Sequence, residues 1–187
     1  KNGFCENKTH FYFRYLNHSL KMLNEITIRN ATINDIELIR ELTFKVWPQT
    51  YSSIISKEQI DYMLEMMYSN KSLALQMAEG SQFIIVQDTK RPVGFASYKP
   101  VAINIYKLDK IYILQTQQGK GIGKFVIDYI LQQIKDRGAE SLQLQVNRNN
   151  INAKSFYEKI GFSIIQEADF EIGNGYFMND FIMEKKI

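Results

Sequence analysis

Between Leu108 and Phe162 the apolar period of the chain switches from two residues to about 3.6 and back, twice over. Leu108 to Leu114 reads as a strand. Ile122, Phe125, Val126, Tyr129 and Ile130 then form one stripe of a helix that ends at Gly138. Leu142, Leu144 and Val146 alternate as a buried strand, and Ala153, Phe156, Tyr157 and Ile160 stripe a second helix stopped by Gly161. A strand–helix–strand–helix run with short connections must lay its helices against a sheet.

The flanking segments extend that sheet. Ile26 and Ile28 alternate with polar residues as a short strand, and Thr32 with Asp35 forms a near-capping box before Ile36, Ile39 and Val46. Pro48 is expected to end that helix. Ser56 with Gln59 opens a second helix carrying Ile60, Met63, Leu64 and Met67, and a shorter one runs from Ser72 to Ala78 before Gly80. Phe83–Val86 and Val93–Tyr98 flank the turn residues Asp88–Pro92 as a hairpin. Phe162–Ile165 and Tyr176–Met183 are the last strands, joined through Gly173-Asn174-Gly175. The expected class is α/β, a mixed sheet with helices on its faces, in the order β-α-α-β-β-β-α-β-α-β-β.

At 187 residues the chain suits one domain, expected over 22–187. Residues 1–21 lack helix or strand period and are expected to be an extension ahead of Met22, with an ordered arm as the alternative. A single cysteine, Cys5, leaves no internal disulfide, and two histidines, His10 and His18, give a zinc cluster or a histidine triad almost no raw material. A net charge of +3 does not argue for nucleic acid or a membrane surface. No apolar run approaches the ~20 residues that span a bilayer, so the cytoplasm is the expected compartment.

The segment Gln118-Gly119-Lys120-Gly121-Ile122-Gly123 sits where the first strand gives way to a helix. Glycines there let backbone N–H groups approach an anion, the helix N-terminus adds its positive end, and Lys120 and Lys124 add charge. Alone, the segment is equally a sharp connection. It is not a Walker A loop, because Gly123-Lys124 is followed by Phe125. Nor is it a dinucleotide fingerprint, which lacks its second glycine spacing here and finds Gln145 where an acid is wanted.

Two segments together resemble motifs of the GCN5-related N-acetyltransferases. Gln118-x-x-Gly121-x-Gly123, with Ile113 upstream, is similar to their Q/R-x-x-G-x-G/A motif. Asn150-x-x-Ala153-x-x-Phe156-Tyr157-x-x-x-Gly161-Phe162 is similar to the second. The resemblance covers Leu23 to the C-terminus and implies a GNAT-like acyl-CoA N-acyltransferase fold with acetyl-CoA as cosubstrate and no metal. By that resemblance the backbones of Ile111 and Ile113 would pair with pantetheine beside a splayed strand, and the amides of Gln118, Gly119, Lys120, Gly121, Ile122, Gly123 and Lys124 would hold the pyrophosphate. Asn150 would contact the pantetheine arm. Tyr157 would sit by the sulfur and protonate the departing thiolate, where the residues alone allow a core aromatic. Asp109 takes the place of a family glutamate four residues before Ile113, as a base acting through water or else as a solvated strand carboxylate. A backbone N–H at Ile113 or Leu114 would polarise the thioester carbonyl.

A primary amine of pKa ~10.4 must lose a proton before it attacks a thioester, and a carboxylate on the central strand, acting directly or through water, can help. Glu58, Asp61 and Glu65 lie on one face of the second helix, beside the aromatic Trp47–Tyr51 connection. They are either a solvated surface or a steering face for a cationic acceptor. Met178–Met183 and Ile111–Ile113 resemble the PaiA-type polyamine acetyltransferases, which leaves polyamines, other small amines and peptide N-termini open. The competing reading is an acyl-CoA sensor or partner-binding module with little catalysis. Oligomeric state is open, a homodimer included.

Overall fold

The computed structural model describes residues 25–187, so the expectations for residues 1–21 and Met22 lie outside the described residues. Strand β1 (Ile26–Asn30) leads through a short 3-10 turn (Ile33–Asp35) into α1 (Ile36–Tyr51), α2 (Lys57–Tyr68) and α3 (Asn70–Ala78). Next come β2 (Gln82–Asp88), β3 (Arg91–Ala102) and β4 (Ile105–Ile113), then α4 (Ile122–Lys135), β5 (Ser141–Asn147), α5 (Ile151–Lys159), β6 (Ser163–Gly173) and β7 (Tyr176–Lys186). The short helix expected from Ser72 to Ala78, which the expected element order left out, is α3 and begins two residues earlier, at Asn70. Ser69 caps it by accepting the Ser72 N–H at 3.3 Å.

Local signals explain most boundaries. The Thr32 N–H donates to Asp35 Oδ2 at 2.8 Å, and Ser56 Oγ accepts the Gln59 N–H at 3.2 Å. Gly138 (φ 81°) and Gly161 (φ 95°) take the left-handed conformation just past α4 and α5. Pro48 does not end α1. The helix runs through it to Tyr51, because Trp47 beside it is 1% exposed and its ring lies 4.7 Å from that of Tyr51. Burying an aromatic of that size outweighs one lost helical hydrogen bond. The Trp47–Tyr51 segment is therefore the last turn of α1, not a connection.

The seven strands form one sheet in the order β1-β2-β3-β4-β5-β7-β6. Only β4 and β5 pair in parallel; the other neighbours are antiparallel. One face carries α4 and α5, with Ile127, Ile130 and Ile134 fully buried against Leu142 and Val86. The other carries α1–α3, with Ile39, Trp47, Leu73 and Phe95 at its centre. Each such side chain contributes roughly 1.5–3 kcal/mol through burial.

Two defects in this sheet make the site. In β3–β4 pairing Ser97 faces Lys110 and Tyr98 faces Leu108, which leaves Asp109 as an extra residue, a β-bulge. The parallel pairing of β4 with β5 runs from Ile105–Ser141 to Leu108–Leu144 and stops at that same point. Beyond it Gln145, Val146 and Asn147 keep only their β7 partners, so β4 and β5 splay apart.

Candidate active site

The gap between the splayed strands opens into a cleft of about 820 Å³. Ile111 and Ile113 of β4 line its floor, the N-terminus of α4 closes one end, and Asn150, Ala153, Phe156 and Tyr157 line the facing wall. The register of β3 on β4 decides which backbone groups reach it. Leu114 donates its N–H to Val93 O at 2.9 Å, so the next pair, Gly94–Ile113, is a non-hydrogen-bonded one. By the same alternation the N–H groups of Ile111 and Ile113 point away from β3, toward the edge that β5 has left. Of the two amides expected to polarise a carbonyl, Ile113 remains. Leu114 does not, because Val93 already holds its N–H. The Ile113 carbonyl is taken by Gln118 Nε2 at 3.0 Å, which ties the loop to the strand.

The glycine turn has the backbone geometry that an anion cradle needs. Gly119 (φ 75°) and Gly121 (φ 84°) sit in the left-handed region, and a Cβ at either would meet nothing within 4 Å, so both backbones face open space. Gly121 is the N-cap of α4 and its carbonyl accepts the Phe125 N–H at 3.0 Å. The first N–H groups of the helix, at Ile122, Gly123 and Lys124, are thus left without helical partners at a positive helix end. Gly123 also sets the packing of the two helices, since a Cβ there would lie 3.2 Å from the Phe156 ring and its absence lets α4 approach α5. The lysines contribute less than the sequence suggests. Lys120 Nζ donates to Gln117 at 2.8 Å and does not line the cleft, while Lys124 lines it but pairs with Asp128. Asn150 lines the cleft too, with its Oδ1 accepting the Ala153 N–H at 3.2 Å as the cap of α5.

Tyr157 is both a packed aromatic and a wall of the cleft. Its ring is 8% exposed, packed 5.3 Å from Phe156 and 5.7 Å from Phe162, and the residue also lines the cleft. Burial first, and then the neighbouring Tyr51, push the phenol well above its usual range, so it keeps its proton through neutral pH. These residues suit a pyrophosphate and a thioester arm: exposed amides at one end, an open strand edge along the middle, a protonated phenol at the far wall.

A second pocket, of about 100 Å³, lies on the α1–α3 face and shares Tyr51, Asp109, Tyr112 and Gln145 with the cleft. Its walls are aromatic and thioether: Trp47, Tyr68, Met63, Met67, Phe177 and Met178. Tyr51 and Tyr112 are partly buried, and desolvation of their phenols pushes both well above the usual range. The pocket is roofed by the β6–β7 hairpin, which α2 clasps through Gln59 Nε2 to Phe177 O at 2.9 Å and Tyr62 Oη to Ile172 O at 2.7 Å.

Two carboxylates reach this pocket. Asp109 is held by Lys107 at 3.3 Å and Lys99 at 3.9 Å. The other, Asp180 of β7, is not among the residues the sequence singles out. It is 2% exposed, and its Oδ2 has no hydrogen-bond partner among the described residues. Desolvation pushes its carboxyl up to about 6, although Lys107 and Arg148 pull the other way. The signal that could have found it is an acid on the inward face of an apolar strand, alternating with Met178. Glu58, Asp61 and Glu65 line neither cavity. All three are exposed on the solvent side of α2, and Asp61 pairs with Lys57. The face of α2 toward the pocket is the Gln59–Met63–Met67 one.

Among the described residues no cluster of three His, Cys, Asp or Glu side chains is arranged to hold a metal, and no helix is long and apolar enough to cross a membrane.

The sequence model of the Acetyltransferase (GNAT) family matches residues 37–162. The spermidine N(1)-acetyltransferase of Thermoplasma acidophilum is 30% identical over 166 residues, 86% of this chain and 97% of that one. The [ribosomal protein bS18]-alanine N-acetyltransferase of Haemophilus influenzae is 33% identical over 91 residues, 48% of this chain and 61% of its own. Among solved structures, the PaiA N-acetyltransferase of Thermoplasma acidophilum in complex with coenzyme A aligns with a TM-score of 0.74 at 30% identity, over 87% of this chain and 99% of that one.

Proposed function

This chain belongs to the GNAT family and is an acetyl-CoA-dependent N-acetyltransferase, and on that premise we propose that its acceptor is a small cationic primary amine of the polyamine kind. The observation that carries the reading is the second pocket, whose aromatic walls adjoin the cofactor cleft. Its polar side sets Asp109 and Asp180 beside Lys107 and Lys110, with Asp109 paired to Lys107 and Asp180 left unpaired among the described residues. Aromatic faces attract an ammonium by about 0.5–2 kcal/mol each, more when water is excluded. The pocket's 100 Å³ is about three water volumes, which admits the end of an unbranched aminoalkyl chain. A 30% identity to a spermidine N(1)-acetyltransferase, over most of both chains, supports the same class.

In this reading acetyl-CoA brings the acetyl group as a thioester. The amides at Ile122, Gly123 and Lys124 hold its pyrophosphate, with Gln118, Gly119, Lys120 and Gly121 shaping the turn. Ile111 and Asn150 border the pantetheine arm, the Ile113 N–H polarises the acetyl carbonyl, and Tyr157 donates the proton that the sulfur takes. Asp109, already committed to two lysines, orders the polar wall between the two cavities. The domain carrying these groups is taken to span 22–187.

A peptide N-terminal acceptor is the second reading, favoured by the partial match to the bS18-alanine enzyme. Thiol release with spermidine, n-butylamine, a neutral amine and an alanine-terminated peptide separates the two. Turnover of spermidine and n-butylamine well above the peptide is expected; the reverse order would overturn the proposal.

A further inference from the structure

Among the described residues Asp180 Oδ2 has no hydrogen-bond partner to explain it. A buried carboxylate costs stability unless something pairs with it, and such groups are normally hydrogen-bonded. Here Oδ2 is buried, unpartnered and part of the acceptor pocket wall. The Trp47 indole N–H, on the same wall, is also buried without a partner. The charged and titratable groups around Asp180 are accounted for. From β4, Lys107 donates to Gln145 at 2.8 Å and pairs with Asp109, which faces it too. Past β5, Arg148 binds Asp169 and Glu167 of β6 through its terminal nitrogens, while its Nε is buried without a hydrogen-bond partner among the described residues. From α1 comes Tyr51, whose phenol feels the Asp180 charge. Lys110, Tyr68 and Tyr112 line the remaining wall, with Lys110 Nζ held by Gln76 at 2.6 Å.

We propose that Asp180 is the acceptor-binding carboxylate of this enzyme and the group that takes the first proton from the acceptor ammonium, in place of Asp109. The proposal rests on the cationic-amine reading above. Asp109 is poorly suited because two ammonium groups already occupy it. Asp180 is free, and its carboxyl near 6 makes it ionised yet basic at neutral pH, as a general base should be. The protons balance. Of the three on the ammonium, one goes to Asp180 and on to solvent, and one stays on the amide nitrogen. The third replaces the proton that Tyr157 gives the sulfur as the N–C bond forms and the C–S bond breaks.

The chain's only tryptophan, Trp47, lines this pocket and reports its occupancy. Without cofactor, Trp47 fluorescence is titrated with spermidine and with n-butylamine from pH 5 to pH 7, on the full chain and on Asp180→Asn. Both amines stay protonated throughout, and Lys110, lowered to about 8 by burial, stays cationic. A group titrating near 6 goes from about one-tenth to nine-tenths ionised over that window, so wild-type Kd should tighten about tenfold. In Asp180→Asn, Kd at pH 7 should weaken at least tenfold and lose its pH dependence, while CoA affinity by calorimetry is kept. An Asp180→Asn protein that binds amine as wild type does, or a wild-type Kd flat with pH, overturns the role of Asp180 alone. Wild type that binds neither amine overturns the cationic-amine reading, and this inference with it. The wild-type pH profile stands even where the variant does not fold.

Discussion

Replacing Asp180 by asparagine should make the protein more stable at neutral pH and leave it almost unchanged near pH 4. The carboxyl is pushed from 3.8 in the unfolded chain up to about 6 in the folded one. Well below the unfolded value of 3.8 both states hold the proton and the group costs nothing, and near pH 4 the cost is still small. As pH rises from 4 to 6 the unfolded chain releases its proton while the folded one keeps it, so this group's contribution to stability falls. Above pH 6 the loss is constant. Two pKa units correspond to about 3 kcal/mol. Asparagine is neutral in both states and escapes that loss. For a chain of this size ~1 kcal/mol is worth roughly 2–4 °C, so Tm at pH 7 should rise by several degrees and at most about 12 °C. Asp35 acts in the opposite sense. Its carboxyl is lowered to about 2 by the Arg29 guanidinium, so its contribution is present above pH 4 and lost as pH falls through 2. It is common to both proteins and cancels in the difference. Thermal melts of wild type and Asp180→Asn at half-unit steps from pH 4 to pH 7.5 give the test. A difference that does not grow with pH, or a variant that melts lower at pH 7, would refute the desolvation argument. The expected pairing of higher stability with lost amine binding is a stability–activity trade-off.

Tyr157→Phe should keep CoA affinity, since the ring still packs on Phe156 and Phe162, but lower kcat by on the order of 10²-fold or more under chemistry-limited conditions; unchanged turnover would reduce Tyr157 to packing. Gly121→Val puts a branched side chain on a backbone with φ 84° that faces the cleft, and should weaken CoA binding in calorimetry by more than tenfold; equal affinity would remove the pyrophosphate from this turn. Gly94→Ala drives a Cβ into the Tyr112 carbonyl oxygen and to within 2.5 Å of Ile113 Cδ1. Such overpacking costs about 1–3 kcal/mol. Because it displaces the strand edge lining the cleft, Tm and CoA affinity should fall together; a fall in Tm alone would separate β4 from cofactor binding.

The parts of this protein legible in its sequence are those set by neighbours along the chain. Hydrophobic period places the strands and helices, caps at Thr32, Ser56, Gly138 and Gly161 place their ends, and the turn from Gln118 to Gly123 declares itself through backbone conformations that only glycine adopts readily. Pro48 misleads for the same reason: its local rule ends a helix, but the burial of Trp47 against Tyr51, Tyr68 and Tyr112 comes from α1, α2 and β4 together. Which amide faces the cleft depends on the register of β4 against β3, and a bulge at Asp109 resets that register without changing the sequence period around it. Asp180 lies in the Met178–Met183 segment and alternates with Met178 there, but its chemistry depended on tertiary structure. In sequence it is one acid among twenty Asp and Glu residues, while its displaced proton affinity and missing partner come from desolvation, a property of the elements that close around it. Charge type is written in the chain; the dielectric that gives the charge its chemistry exists only once β4, β7, α1 and α2 have come together.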